Sequence, residues 1–268
     1  MPMPWHDADV TIENDTFHYL RTGDGQKPPL LLLHGFSDNG RCWQRLAQDL
    51  QATHDVIMPD SRGHGRSPRI QPSTPLDNAA DAAAIINALG LEKPIVAGHS
   101  MGGLTATELG ARYPNLARAL ILEDPAWIDP PATPEPPQEN PFYAWLKQMD
   151  ALPLPELIAF GQASNPTWPE DEFPAWATAK QQLDKTILGA LHMGKPWRDF
   201  VAALTIPTLL ITAEPEQGAI ITPALAEEAA TRCAHLQVAH VPNAGHNIRR
   251  ENYPVYLQAI TAFLATIH

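Results

Sequence analysis

The sequence predicts an α/β fold: a doubly wound, mostly parallel sheet of eight strands, with helices on both faces and a helical cap insertion. Three observations point there. Apolar runs of strand length alternate with amphipathic helix-length segments on both sides of residues 125–200. One of those runs, Lys93-Pro94-Ile95-Val96-Ala97, passes directly through Gly98-His99-Ser100-Met101-Gly102 into a helical segment. From Pro125 to about Pro174 the alternation stops and prolines and aromatics crowd the chain.

Taken in order, Val10 to Glu13 and Phe17 to Arg21 read as two strands about a turn at Asn14-Asp15. Pro29 to Leu33 is a solid apolar run, the mark of a strand covered on both faces. Cys42 to Leu50 has helical spacing, with Trp43, Leu46, Ala47 and Leu50 on one side. His54 to Asp60 is the next strand. The glycine-rich loop Ser61-Arg62-Gly63-His64-Gly65-Arg66-Ser67 follows, and it lacks the Gly-Lys-Ser/Thr ending of a phosphate loop. Leu76 to Leu89 reads as an alanine-rich helix stopped by Gly90, and Gly103 to Tyr113 as a helix stopped by Pro114. Ala117 to Leu122 is a strand ending in Glu123-Asp124.

The block that follows keeps helical patches at Phe142 to Met149 and Pro155 to Phe160, and a longer helix is expected from Trp176 to His192. Its aromatics (Trp127, Tyr143, Trp145, Trp168, Phe173, Trp176 and Trp197 among them) are too much apolar surface for a solvated tail. Strands at Ile206 to Ala213 and His235 to Val241, and helices at Pro223 to Cys233 and Tyr253 to Ile267, complete the pattern. The expected organisation is a core of residues 1–124 and 201–268, with residues 125–200 as a Pro/Trp-rich helical cap.

A chain of 268 residues that is 44% hydrophobic can bury a sizeable core. Its net charge of −12 argues against nucleic acid or an anionic membrane as partner. Two cysteines, Cys42 and Cys233, make neither a disulfide framework nor a zinc spacing. No run is long enough to span a bilayer, and the first ten residues have no signal-peptide pattern, so a cytoplasmic protein is expected. Monomer and small homo-oligomer stay open.

Strand, Gly-x-Ser-x-Gly, helix is the context of a nucleophile elbow. Such a bend brings the chain before and after the serine close together, and Gly98 and Gly102 have no Cβ to obstruct it. A serine hydroxyl needs a base, and the base an orienting acid. His246, in the loop after the last strand, is the candidate base, with Gly245 leaving room for its ring. The acid is Asp124 after one strand or Glu216 after another, with Glu214 third. Two backbone donors are needed for an oxyanion, and the N–H groups of Met101 and Phe36 are the candidates.

His34-Gly35-Phe36, Asp60 to Ser67, Gly98 to Gly103, and Gly245-His246 followed by Glu251, Pro254 and Phe263-Leu264 together resemble the α/β-hydrolase fold superfamily, across nearly the whole chain. The resemblance implies Ser100 as nucleophile, His246 as base, and a cap over the site. The usual aspartate after the penultimate strand is replaced here by Glu216. A branch with haloalkane dehalogenases and zearalenone-type lactonases puts its acid where Asp124 falls, and the reading leans to Asp124. Dehalogenase and epoxide-hydrolase chemistry is disfavoured, because both use an aspartate nucleophile and position 100 is serine.

The expected function is hydrolysis of a carboxylic ester or lactone bearing an apolar or aromatic group, without metal or organic cofactor. The aromatic, cation-poor cap favours a small neutral apolar substrate. C–C bond hydrolysis of a diketone, and a hydrolase-like small-ligand receptor with little turnover, are the alternatives.

Overall fold

The computed structural model describes residues 5–71, 76–129, 141–187 and 195–267. Eight strands form one sheet in the order β1-β2-β4-β3-β5-β6-β7-β8. They are β1 (His6–Ile12), β2 (Asp15–Arg21), β3 (Pro29–Leu33), β4 (Asp55–Pro59), β5 (Ile95–His99), β6 (Ala119–Glu123), β7 (Thr208–Thr212) and β8 (Leu236–His240). From β4 to β8 every pairing is parallel, and β2 runs antiparallel to both of its neighbours. The turn between β1 and β2 falls at Glu13-Asn14, so both strands are longer than the sequence reading, with Glu13 in the left-handed region at φ 55°.

Side-chain alternation divides β3 between two cores. Leu30 and Leu32 pack with Trp43, Tyr256, Ile260 and Phe263, under α1 (Gln44–Leu50) and the closing helix Tyr253–Leu264. Leu31 and Leu33 pack on the opposite face with Ala79, Ala106, Trp197 and Ala229. That face carries α2 (Asn78–Ala88), α3 (Met101–Arg112), the helix Trp197–Ala202 and the helix Pro223–Arg232. Burial on both sides is why these strands read as unbroken apolar runs.

Between β6 and β7 lie α4 (Pro141–Asp150), α5 (Leu154–Ser164) and α6 (Phe173–Gln182). Met149, Leu157, Trp168, Phe173 and Trp176 form an apolar cluster of their own there. In keeping with the helix order, we number Trp197–Ala202 as α7, Pro223–Arg232 as α8, Ile248–Glu251 as α9 and Tyr253–Leu264 as α10.

The long helix expected over Trp176 to His192 is corrected. Helix α6 begins three residues earlier, at Phe173, and ends at Gln182, where Leu183 turns extended at φ −66°, ψ 134°. Asp184 holds the break. Its carboxylate accepts the N–H and hydroxyl of Thr186 at 3.0 and 2.7 Å and the N–H of Ile70 at 2.8 Å, and its own N–H donates to the Gly63 carbonyl at 2.8 Å. An aspartate that bonds nearby backbone competes with helix continuation. Residues 188–192 of that expectation, and the side chain of Phe142, lie outside what is described.

Trp127 and Trp197 stack with ring centroids 5.0 Å apart and planes 4° from parallel, both buried in the core cluster on the face of the sheet that carries α3. Replacing Trp197 with alanine removes one ring of that stack and leaves a cavity. We expect Trp197→Ala to cost about 3–5 kcal/mol of stability, read from urea unfolding, and a change below about 1 kcal/mol would show that the stack contributes little.

Candidate active site

Strand β5 ends at His99, and α3 begins at Met101. Ser100 makes the whole reversal between them at φ 53°, ψ −115°. A serine held there is strained by roughly 1–3 kcal/mol and persists only if its surroundings enforce it. They do so with main-chain bonds: Ser100 N–H donates to the Glu123 carbonyl at 3.0 Å, and Ala126 N–H donates to the Ser100 carbonyl at 3.0 Å. The glycines act as the sequence reading expects. A Cβ on Gly98 would overlap the Gly102 carbonyl, and one on Gly102 would overlap the Leu33 carbonyl at the end of β3.

Asp124 follows β6, the strand paired with β5, and is fully buried with φ 38°. Its carboxylate accepts the N–H groups of Ile220 and Ile221, each at 2.9 Å, and Oδ2 lies 2.6 Å from His246 Nδ1. His246 Nε2 lies 3.0 Å from Ser100 Oγ. An ionised carboxylate only accepts, so the proton on His246 sits on Nδ1 and the lone pair of Nε2 faces the hydroxyl.

The alternatives for the acid fall elsewhere. Glu216 is exposed in the tight turn Pro215–Gln217. Glu214 lies 3.3 Å from His240 Nε2. Glu123, next to Asp124, is buried on the other side of the strand with Arg249 and Tyr256. A Cβ on Gly245 would overlap the Gln217 carbonyl, so the loop that carries His246 lies against the turn after β7.

The loop after β3 reaches the same place. A Cβ on Gly35 would stand 2.6 Å from His99 Nδ1 and 3.4 Å from Ser100 Cβ, so this backbone lies against the bend. His34 Nε2 accepts the Ser61 N–H at 3.0 Å, which leaves Nδ1–H to donate to the Gly35 carbonyl at 2.8 Å. Asp38 N–H donates to that carbonyl as well, at 3.1 Å. In a trans peptide the C=O and N–H point opposite ways. Both bonds on the Gly35 oxygen therefore turn the Phe36 N–H away from them. Met101 N–H belongs to the first turn of α3, where no intrahelical acceptor exists.

Three histidines that the motif reading left unassigned are buried around this centre. His99 Nε2–H donates to the His246 carbonyl at 2.8 Å, and its ring lies 4.7 Å from that of His246. His64 accepts the Ser37 N–H at 3.4 Å and donates to the Arg62 carbonyl at 3.0 Å. Burial lowers the pKa of His34, takes His64 down to about 3, and takes His99 well below its ordinary value. The signal available in the sequence was only their place inside the motifs.

These shifts have a sign. In the unfolded chain His34, His64 and His99 take up protons as pH falls through about 6.5, whereas in the folded chain they resist. The unfolded state then binds more protons, and stability drops, by up to about 1.4 kcal/mol per pH unit for each histidine. His18 opposes them at higher pH. Burial lowers its pKa, but the carboxylates of Asp60 at 2.7 Å and Asp7 at 3.1 Å together outweigh burial and raise it, so its contribution is present below 6.5 and is lost as pH rises through the raised value. We expect stability to fall by several kcal/mol from pH 7 to pH 5 in urea titrations, and an unchanged or rising midpoint would contradict the neutral burial of these rings.

Comparison with known proteins agrees with this geometry. The model of the alpha/beta hydrolase family matches residues 30–259. Lipase LipV of Mycobacterium tuberculosis is 39% identical over 109 residues, a segment that is 41% of this chain and 41% of LipV. The mouse (Mus musculus) sn-1-specific diacylglycerol lipase ABHD11 is 26% identical over 263 residues, covering 92% of this chain and 84% of that protein. The crystal structure of E-2-(acetamidomethylene)succinate hydrolase superposes with a TM-score of 0.82 over 98% of this chain and 100% of that one, at 22% identity, which speaks to the fold alone. With a bent serine, a histidine and a buried carboxylate brought to one end of such a sheet, the chain belongs to the alpha/beta hydrolase family.

Proposed function

We propose that this hydrolase cleaves a carboxylic ester or lactone of a neutral, apolar group through an acyl-enzyme on Ser100. One observation carries the reading: the unbroken series Asp124–His246–Ser100, at 2.6 and 3.0 Å, ending on a hydroxyl held at a strained bend. Ser100 Oγ attacks the ester carbonyl as its proton passes to His246 Nε2. The tetrahedral oxyanion accepts from the N–H groups of Phe36 and Met101. His246 then returns the proton to the leaving alkoxide, which departs as the alcohol. Water, deprotonated by the same imidazole, attacks the acyl-enzyme, and the second tetrahedral state collapses to the acid as Ser100 Oγ leaves and takes the proton back from His246. Asp124 keeps the imidazole in its reactive tautomer and balances the imidazolium.

An ester substrate is favoured by the relatives named lipases, LipV and ABHD11. Epoxide opening is disfavoured by the serine at position 100. The preference for an apolar substrate rests on Ile70, Leu146, Leu183 and Ile187, which cluster with Phe36, Tyr143 and Trp145 beside the loop after β3. In this reading residues 125–200 act as a cap over a core of 1–124 and 201–268, and supply that apolar wall together with Phe36 and Ile70 of the core.

A panel of p-nitrophenyl esters with single-residue variants tests the proposal. Ser100→Ala is expected to lose about 10⁴-fold or more in kcat, and Asp124→Asn several orders of magnitude. Glu216→Gln should stay within about threefold of the parent protein. Retained turnover in Ser100→Ala would overturn the acyl-enzyme, and a collapse in Glu216→Gln would reassign the acid. Inertness toward all esters, with turnover of a vinylogous diketone, would move the reaction to C–C hydrolysis.

A further inference from the structure

Beneath the loop after β3 lies a group of six buried charges. The carboxylates are Asp38, Glu123 and Glu172, and the cations are Lys180, Arg249 and Arg250, so the group is neutral as a whole. Asp38 is its hub. Oδ1 accepts Lys180 Nζ at 3.0 Å, and Oδ2 accepts Nη2 of both Arg249 and Arg250 at 3.0 Å. Arg249 continues to Glu123, and Arg250 to Glu172 at 3.1 Å. Burial alone would raise the Asp38 carboxyl, but Arg250, Lys180 and Arg249 hold it well below the usual range, so it stays charged.

The group joins three segments that matter. Lys180 sits on α6, between β6 and β7. Arg249 and Arg250 lie in α9, three and four residues beyond His246. Asp38 closes the turn that begins at Gly35, through its N–H bond to the Gly35 carbonyl. Lys180 Nζ also donates to the Ser37 carbonyl at 3.0 Å, and Ser37 is itself in the left-handed region at φ 66°. One ammonium thus grips the strained residue next to Phe36 and the side chain of the residue after it. Ala175 and Ala179 of α6 pack on Cys42, and Gln182 accepts from Asn39, so the helix has other means of docking. Docking alone does not require a buried cation, which costs several kcal/mol to desolvate.

We infer that Lys180 is a positioning residue for the oxyanion site. By holding the Ser37 carbonyl and Asp38 it fixes the Gly35–Phe36 peptide, so the seating of α6 on the core sets where the Phe36 N–H points. The inference rests on the serine-hydrolase reading. It differs from a merely structural role in what it moves. A misaimed donor weakens binding of the tetrahedral state and leaves binding of the ground-state ester almost unchanged.

The test compares Lys180→Met with Gln182→Ala, which removes a different bond between α6 and the same loop. The readouts are kcat and KM for p-nitrophenyl butyrate, and inhibition by an alkyl trifluoromethyl ketone, whose hemiketal mimics the tetrahedral adduct. Lys180→Met should lower kcat about 10–100-fold with KM within threefold, and loosen the ketone by a similar factor. Gln182→Ala should change neither by more than about twofold. The double variant Asp38→Asn/Lys180→Met keeps the buried charge neutral, and it takes the place of Lys180→Met if that variant does not fold. A folded variant with kcat and ketone affinity within twofold of the parent overturns the inference. Labelling of the parent protein by a fluorophosphonate separates the two levels: no labelling at Ser100 sinks the hydrolase reading, whereas normal labelling with an unaffected variant sinks only the role of Lys180.

Discussion

The close approach of the β5–α3 bend to the end of β3 is the constraint on which the rest depends. Gly102 sits against the Leu33 carbonyl, and Gly98 against Gly102 itself. With no Cβ at either position the chain reverses within one residue, and that residue is Ser100. The same contact brings the loop after β3 to the serine, because Leu33 is the last residue of β3. Hydroxyl and main-chain donors are therefore brought together by one steric event. The main-chain bonds from Ser100 to Glu123 and Ala126 tie that event to β6, from whose end Asp124 emerges.

The sheet and most of its helices were legible because their chemistry is local. An unbroken apolar run such as Leu30 to Leu33 has few alternatives, and Gly-x-Ser-x-Gly between a strand and a helix has fewer. The choice between Asp124 and Glu216 was not local. Both follow strands, both are carboxylates, and the path of residues 214–221 sets which of them meets His246. That path carries Glu216 into solvent and delivers the N–H groups of Ile220 and Ile221 to Asp124. The end of α6 was misread for a related reason. Neither proline nor glycine marks the stop at Leu183, and the aspartate that enforces it bonds to Ile70, 114 residues away in sequence.

The buried charges were the least legible part. Asp38 meets Arg249 and Arg250 across 211 and 212 residues of sequence. A lysine in an apolar helical segment, and two adjacent arginines after a loop histidine, look in isolation like solvated side chains. Their burial follows from neutrality as a group: each cation reaches a carboxylate at 3.0–3.4 Å, and guanidinium and ammonium groups also lie over the rings of Trp43, Trp168 and Trp176. Such a group is costly to assemble and costlier to leave half assembled, so it specifies one arrangement of the segments it joins.

The bend after β7 contributes to Asp124 through its main chain alone. Amide hydrogens are common to nearly every residue type, so Glu214, Glu216 and Gln217 are free to drift over generations without disturbing that carboxylate. Insertions and deletions are another matter, because they would move the amides of Ile220 and Ile221. Natural variation in this stretch should therefore be rich in exchanges and poor in changes of length.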